Sequence, residues 1–198
     1  MLPMAAICIG RGGASGSTTR DSSSDETLLT RIAEGDQVAM RTLFARHRAA
    51  LYRWLLRLVS DEALAEDILS DVFLDVWRQA ASFEGRSSVS TWLLAIARYK
   101  ALSARRRRTH AELDEAIVST VPDMADDPEV TLQKKNRAEA VRHSLARLSP
   151  EHREVIDLTY YHGKSVKEIS EIVGINEATV KTRTFYARQK LAELVANL

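Results

Sequence analysis

The sequence predicts an all-α protein: two small helical domains joined by a flexible acidic linker, the second domain containing a helix-turn-helix. Helix breakers are scarce, with 8 Gly and 4 Pro in 198 residues, and apolar residues recur at helical spacing through two long parts of the chain. Between these parts lies an acidic stretch with two prolines and little periodicity, typical of a linker. We therefore divide the chain into a disordered tail (1–24), a first domain (25–110), a linker (111–132) and a second domain (133–198).

The first residues are not expected to fold or to enter a membrane. Residues 10–25 are rich in Gly, Ser and Thr and cannot bury a core. The apolar stretch Met1–Ile9 lacks the basic start of a signal peptide, and no apolar run is long enough to span a bilayer. Cys8, the only cysteine, excludes an intrachain disulfide and a cysteine-based metal cluster. These features predict a cytoplasmic protein without membrane insertion.

Four helices are predicted in the first domain. Leu28, Leu29 and Ile32 mark the first, which ends at Gly35-Asp36, and a longer second helix follows. Asp61 is the expected N-cap of the third and Ser90 that of the fourth. The third helix carries an apolar stripe expected to be buried: Ala65, Ile68, Leu69, Val72, Phe73, Val76 and Trp77.

The third helix also presents an acidic ridge. Asp67, Asp71 and Asp75 repeat every four residues, and each like-charge pair at this spacing destabilises a helix by roughly 0.2–0.5 kcal/mol. Leu74 lies exposed among them in this prediction. An unpaired acidic ridge with one apolar residue indicates a docking site for a basic partner, and a solvated acidic face is the alternative.

The fourth helix combines aromatic residues with cations. Trp92 and Tyr99 alternate with Arg98 and Lys100 and precede the arginine block at 105–108. This pattern suits stacking on unpaired bases and following a phosphate backbone. Alternatively, the aromatic residues belong to the core and the arginine block is a solvated helix end.

Local signals in the second domain predict a helix-turn-helix. A helix resumes at about Gln133, and Ser149-Pro150-Glu151 starts the next one. Ser165-Val166-Lys167-Glu168 is a capping box. Gly174 supplies the left-handed turn of a tight bend, and Asn176 then caps a second helix.

That second helix has the composition of a DNA-recognition helix. Such a helix fits the major groove, with its N-terminal half against base edges and its cations near phosphates. The overall charge of +1 hides this basic character because acids concentrate in the linker. The alternative is an ordinary helical hairpin with a solvated basic face. The candidate DNA-binding residues are Glu177, Lys181, Thr182, Arg183, Phe185 and Tyr186.

Nothing in the sequence predicts an enzyme, a cofactor or a metal. The five His are scattered, and no nucleophile elbow or complete phosphate-binding loop is present. His152 and His162 are expected on the surface at helix ends.

Taken together and in order, these segments resemble a bacterial RNA polymerase sigma factor of the sigma-70 family, extracytoplasmic-function (ECF) type. The resemblance covers residues 25–194. The matching residues are Gly35-Asp36, Ala65-Glu66-Asp67, Asp71-Val72-Phe73, Trp77, Ser90-Thr91-Trp92-Leu93, Ile96-Ala97-Arg98, Leu148–Val155, Glu168-Ile169, Gly174-Ile175 and Thr179–Arg183.

The resemblance implies a role for each surface. The third helix would dock on the clamp helices of the largest polymerase subunit through Asp67, Ser70, Asp71, Leu74 and Asp75. The loop and helix that follow would melt and read the promoter −10 element through Arg86, Ser87, Ser88, Trp92, Arg98, Tyr99, Arg105 and Arg106. The helix-turn-helix would read the −35 element.

The resemblance also implies partners. These are core RNA polymerase, including its flap region, promoter double-stranded DNA and an anti-sigma factor, acting in a stress or envelope response. The chain departs from the family where Ser70 replaces a common Gln, Tyr99 an Asn, Ser103 an Asp and Thr184 a large aliphatic residue. The alternative is a two-domain regulator that binds DNA but does not recruit polymerase.

Overall fold

The computed structural model describes residues 23–112 and 144–196, and within these ranges every regular element is helical. The predicted helix from about Gln133, most of the tail and most of the linker lie outside the described residues. The elements are α1 (Asp25–Ala33), α2 (Gln37–Val59), α3 (Glu62–Gln79), a 3-10 turn (Ala80–Ser82), α4 (Val89–Glu112), α5 (Pro150–Tyr160), α6 (Val166–Val173) and α7 (Glu177–Ala196). The all-α prediction is therefore confirmed.

Side-chain caps set the helix starts at most of the predicted places. The Asp36 carboxylate accepts from the backbone N–H of Val38 and Ala39, and that of Asp61 accepts from Leu64. The hydrogen bond from Leu64, together with Arg108, keeps the pKa of Asp61 below its ordinary value. Arg108 donates to Asp61 at 2.6 Å, which ties the end of α4 to the start of α3.

The predicted start of α4 was wrong by two residues. Ser88, not Ser90, is the cap: its Oγ accepts from the Thr91 N–H at 3.3 Å, and its carbonyl accepts from the Trp92 N–H. Both serines can cap a helix, but the earlier start turns Val89 into the core, where it is 1 % exposed. Burial of Val89 therefore decides between two equivalent caps.

Helices α1–α4 share a hydrophobic core, and Trp54 is its largest fully buried side chain. The predicted stripe of α3 is buried at Ala65, Ile68, Val72, Phe73 and Val76. Trp77, expected in the same stripe, lies at its edge and is exposed. The α4 helix continues to Glu112, so the first two residues of the predicted linker are helical.

The predicted helix-turn-helix is confirmed in α6 and α7. Ser165 and Glu168 form the capping box, and Gly174 ends α6 at φ 71°, in the left-handed region that glycine adopts without penalty. The Ser170 hydroxyl donates to the Ile175 carbonyl at 2.6 Å, which holds the bend between the helices. On the inner side, α6 and α7 bury Ile169, Ile172, Val173, Val180 and Ala187.

The two helical units contact each other directly, because α6 also packs against α4. No pattern in the sequence predicted this contact.

Candidate nucleic-acid and polymerase interfaces

The outer face of α7 exposes an aromatic pair. Asn176 caps the helix by accepting from the Thr179 N–H at 2.7 Å. Phe185 and Tyr186 are 64 % and 54 % exposed, and their rings meet edge to face with centroids 5.5 Å apart. Large exposed aromatic side chains leave apolar surface in water and indicate a binding surface.

Polar residues surround this pair. Glu177, Lys181 and Thr182 are exposed, whereas Arg183 is half-buried. The Thr182 hydroxyl donates to the Ala178 carbonyl at 2.9 Å, so its oxygen is left to accept a further hydrogen bond. All six predicted residues thus lie along the first half of α7.

The polar residue Thr184 is accommodated within the helix. Its hydroxyl donates to the Val180 carbonyl at 2.8 Å. The Thr184 hydroxyl, which stands where the family commonly has a large aliphatic residue, therefore has a hydrogen-bond acceptor within its own helix. The Arg188 guanidinium of α7 lies over the ring of Tyr160, 5.5 Å from its centroid. This cation–π contact braces α7 against α5.

The residues predicted for −10 recognition do not form one cluster. From Ser88 to Arg106 the helix rises about 27 Å. Trp92, Tyr99 and Arg106 recur every seven residues and so share one face of α4. Trp92 is half-buried against Phe83, with ring centroids 5.2 Å apart, while Tyr99 is 70 % exposed.

The other predicted −10 residues differ in their surroundings. Arg86 forms an ion pair with Glu84, and Ser87 is half-buried. Arg105 is exposed near the end of α4. Ser88 and Arg98 both contact the helix-turn-helix unit.

The acidic ridge of α3 is partly paired, which corrects the expectation of an unpaired ridge. Lys100 of α4 lies 2.7 Å from Asp75 and 3.9 Å from Asp71. Because the Lys100 ammonium reduces the repulsion between these carboxylates, like-charge destabilisation of α3 gives weaker support for a basic docking partner. The remaining exposed surface comprises Asp67, Ser70, Asp71 and Leu74.

Ion pairs with buried carboxylates join the two helical units. Arg57 of α2 donates to Asp157 of α5 at 2.5 Å, and Arg98 of α4 donates to Glu154 of α5 at 2.6 and 3.3 Å. Both carboxylates are nearly inaccessible to water, at 5 % and 8 % exposure. Burial raises the pKa of Asp157, and Arg57 opposes that shift.

His162 belongs to the same contact, so its expected place on the surface was wrong. Its ring meets the buried Trp54 edge to face, with centroids 5.8 Å apart. Burial, followed by the nearby Arg57, Lys164 and Arg53, lowers the pKa of His162 to about 4. The ring is therefore neutral at pH 7.

Sequence reasoning missed the acidic residues of this contact and assigned Arg98 to the −10 surface instead. Their one signal was the presence of Glu154 and Asp157 next to the apolar residues Val155 and Leu158 of a short helix. Acids at such positions are rare inside a protein unless they are paired.

Two features are absent from residues 23–112 and 144–196. These ranges contain no group of three or more His, Cys, Asp or Glu residues that could hold a metal ion. Nor is any helix in these ranges long and apolar enough to cross a membrane.

Comparison with known proteins matches both halves of the chain to one family. Residues 43–111 match sigma-70 region 2, and residues 138–191 match sigma-70 region 4. The RNA polymerase sigma factor CarQ of Myxococcus xanthus is 31% identical over 86% of this chain and 97% of its own length. The ECF RNA polymerase sigma factor SigM of Mycobacterium tuberculosis is 34% identical over 100% of this chain and 96% of its own.

Solved structures agree with the family match. CnrH, in complex with the cytosolic domain of CnrY, superposes with a TM-score of 0.64 at 26% identity, covering 88% of this chain and 99% of that one. RpoE of Bartonella quintana, in complex with the anti-sigma factor NepR, has a TM-score of 0.64 at 28% identity, covering 79% and 96%.

The chain belongs to the sigma-70 family of RNA polymerase sigma factors, as a factor of the ECF type. It is a transcription initiation factor that binds core RNA polymerase and promoter DNA, and it is not an enzyme. The alternative of a regulator that does not recruit polymerase is not favoured.

Proposed function

We propose that three separate surfaces carry out the steps of promoter recognition. The α7 face reads the −35 element, α4 with its preceding loop reads and melts the −10 element, and the α3 ridge docks on core polymerase. The observation that carries this proposal is the two-sided character of α7, which buries Val180 and Ala187 and exposes Phe185 and Tyr186.

At the −35 element, Thr182 and Phe185 contact base edges. The Thr182 oxygen can accept a hydrogen bond from a base, and the exposed Phe185 ring can pack on a thymine methyl group. Lys181 and Arg183 lie beside them and bind phosphates, which adds affinity without sequence preference. Glu177 and Tyr186 complete the surface.

At the −10 element, the shared face of α4 binds the separated strand. Tyr99 is exposed and offers a stacking platform for an unpaired base, and Trp92 forms the floor beside it. Arg106 continues the same face and follows the backbone phosphates. The proposed −10 surface also includes Arg86, Ser87 and Ser88 in the preceding loop, and Arg98 and Arg105 on the adjoining face of α4.

Core polymerase binds the α3 ridge through its largest-subunit clamp helices, while the flap region meets the helix-turn-helix domain. Leu74, 44 % exposed, gives the ridge an apolar centre between Asp71 and Ser70, with Asp67 and Asp75 at its ends. A basic partner surface is complementary to this arrangement.

We also propose that an anti-sigma factor regulates the protein in a stress or envelope response in the cytoplasm, where core polymerase is found. Support comes from RpoE of Bartonella quintana, whose solved structure is a complex with an anti-sigma factor. The proposed domains are residues 25–110, which bind polymerase and the −10 element, and residues 133–198, which bind the −35 element.

The docking proposal is tested by a charge reversal on α3. Asp71→Arg together with Leu74→Ala should weaken co-elution with core polymerase without loss of helical circular dichroism. Glu66→Arg is the matched control, because Glu66 is an exposed acid of α3 about 140° around the helix from Asp71. Equal affinity of the double variant and the control at moderate salt would remove the ridge from the interface.

A further inference from the structure

Lys100 lies on a different helix from the carboxylates that it neutralises. It belongs to α4, next to the exposed Tyr99 of the proposed −10 surface. Its ammonium lies 2.7 Å from Asp75 and 3.9 Å from Asp71, both on α3. The Lys100 side chain is only 20 % exposed in this position. A cation of the proposed strand-binding helix is therefore held on the proposed polymerase-docking ridge.

A basic partner that docks on the ridge competes with Lys100 for the same two carboxylates. The Asp71 side chain is 63 % exposed and that of Asp75 is 26 % exposed. A partner therefore reaches both carboxylates from solvent, whereas Lys100 reaches them from α4. Partner cations placed against these carboxylates lie close to the Lys100 ammonium and repel it, because like charges at short range oppose each other.

The outer surface of α4 offers the Lys100 ammonium a second binding position. Lysine carries a compact charge on a flexible four-carbon stem, so the ammonium can move while the helix stays in place. A separated DNA strand that stacks on Tyr99 passes next to Lys100, because the two residues are adjacent in the chain. Lysine neutralises the phosphates of such a strand as it neutralises carboxylates.

We propose that Lys100 couples the two surfaces as an exchangeable counter-ion. Binding of core polymerase to the α3 ridge displaces its ammonium from Asp71 and Asp75, and the released ammonium binds a phosphate of the −10 strand next to Tyr99. The proposal rests on the docking and −10 roles proposed above. Because coupling between two binding sites is reciprocal, strand binding then also strengthens the binding of polymerase to the ridge.

The first test needs no polymerase and uses the full chain with a fluorescent random pool of single-stranded DNA. Asp71→Asn with Asp75→Asn should release Lys100 and raise the affinity for the pool about two- to fivefold, the range expected for one partly exposed ion pair. Adding Lys100→Met should cancel this gain, and adding Lys100→Arg should retain it. Glu62→Gln with Glu66→Gln is the matched control, since it removes two exposed carboxylates at the same spacing on α3.

The second test measures the affinity for core polymerase. Lys100→Met should raise it about two- to fivefold, because no ammonium has to leave the ridge. Lys190→Met is the control and should leave this affinity unchanged, since Lys190 pairs at 3.1 Å with Glu193 on α7 rather than with the ridge. If Lys100→Met loses helical circular dichroism, Lys100→Gln takes its place.

The third measurement uses the assembled complex with core polymerase and a single-stranded DNA that carries the −10 sequence read from the transcription start sites. Lys100→Met should bind this strand less tightly, with a salt slope lower by about one. A residue that only braces α3 against α4 would not strengthen one binding event and weaken the other.

Three results would overturn the proposal. One is an unchanged or lower polymerase affinity for Lys100→Met, and another is a gain in strand affinity no larger for the aspartate variant than for the glutamate control. The third is an unchanged salt slope for Lys100→Met in the assembled complex. The docking role fails separately, since it predicts only that Asp71→Arg with Leu74→Ala weakens polymerase binding.

Discussion

Truncation of Phe185 should remove one contact to a −35 base. The side chain is 64 % exposed in the free protein. An aromatic side chain buries roughly 150–250 Å² when fully covered, which leaves roughly 100–160 Å² of Phe185 for DNA to cover. At about 25 cal/mol per Å², full coverage would contribute roughly 2.5–4 kcal/mol. A groove covers only part of the ring, so Phe185→Ala should cost about 1–3 kcal/mol at one position of the site.

The assay compares Phe185→Ala with Arg183→Ala on a panel of −35 point variants at two salt concentrations. Phe185→Ala should flatten the preference at one base pair and leave the other positions unchanged. Arg183→Ala should weaken all sites alike and lower the salt slope by about one. Val195→Ala is the control, since it removes an exposed apolar side chain near the far end of the same helix.

A uniform loss of affinity for Phe185→Ala across the panel would refute this assignment. It would mean that the ring contacts the DNA backbone or supports the fold, and that the reading face lies one helical turn away.

The remaining predictions concern the contact between the two helical units and the stability of the second domain. The contact between the two helical units should weaken as pH falls from about 6.5 towards 4. Burial in the contact lowers the pKa of His162 to about 4, so the form in which the units are apart takes up the proton first. Protonation of Asp157 acts in the opposite direction, so the effect of His162 is the difference between the wild type and His162→Gln in the distance between spin labels placed on exposed positions of the two helical units. Gly174→Ala should destabilise the second domain by about 1–2 kcal/mol in chemical denaturation, because alanine at a φ of 71° is conformationally strained. The added Cβ meets no atom within 4 Å, so no steric clash adds to this cost. Ser170→Ala should cost about 0.5–1.5 kcal/mol in the same assay through loss of its hydrogen bond to the bend.

Most helix boundaries were predictable because their causes are local. The caps at Asp36, Asp61 and Ser165 act within three residues of themselves, and Gly174 needs only its own backbone conformation. The start of α4 was not predictable in this way, because Ser88 and Ser90 are equivalent caps and only the burial of Val89 between them distinguishes the two starts.

The site was predictable as a set of surfaces but not in its contacts. The exposed face of α7 follows from helical periodicity and composition. The pairing of Arg57 with Asp157 joins residues 100 positions apart, and Lys100 reaches the α3 ridge from another helix. Such contacts depend on how helices are placed in space, which periodicity along one helix does not report.

Transcription in vitro with purified core polymerase tests the central claim most directly. The wild-type protein should enable core polymerase to start at defined sites on a genomic DNA library, and sequencing of the start points should reveal one shared pair of −35 and −10 elements. Asp71→Arg with Leu74→Ala should abolish these starts, and Glu66→Arg should preserve them. Binding of the protein to DNA with no specific starts from core polymerase would contradict the account and would favour a regulator that acts without recruiting polymerase.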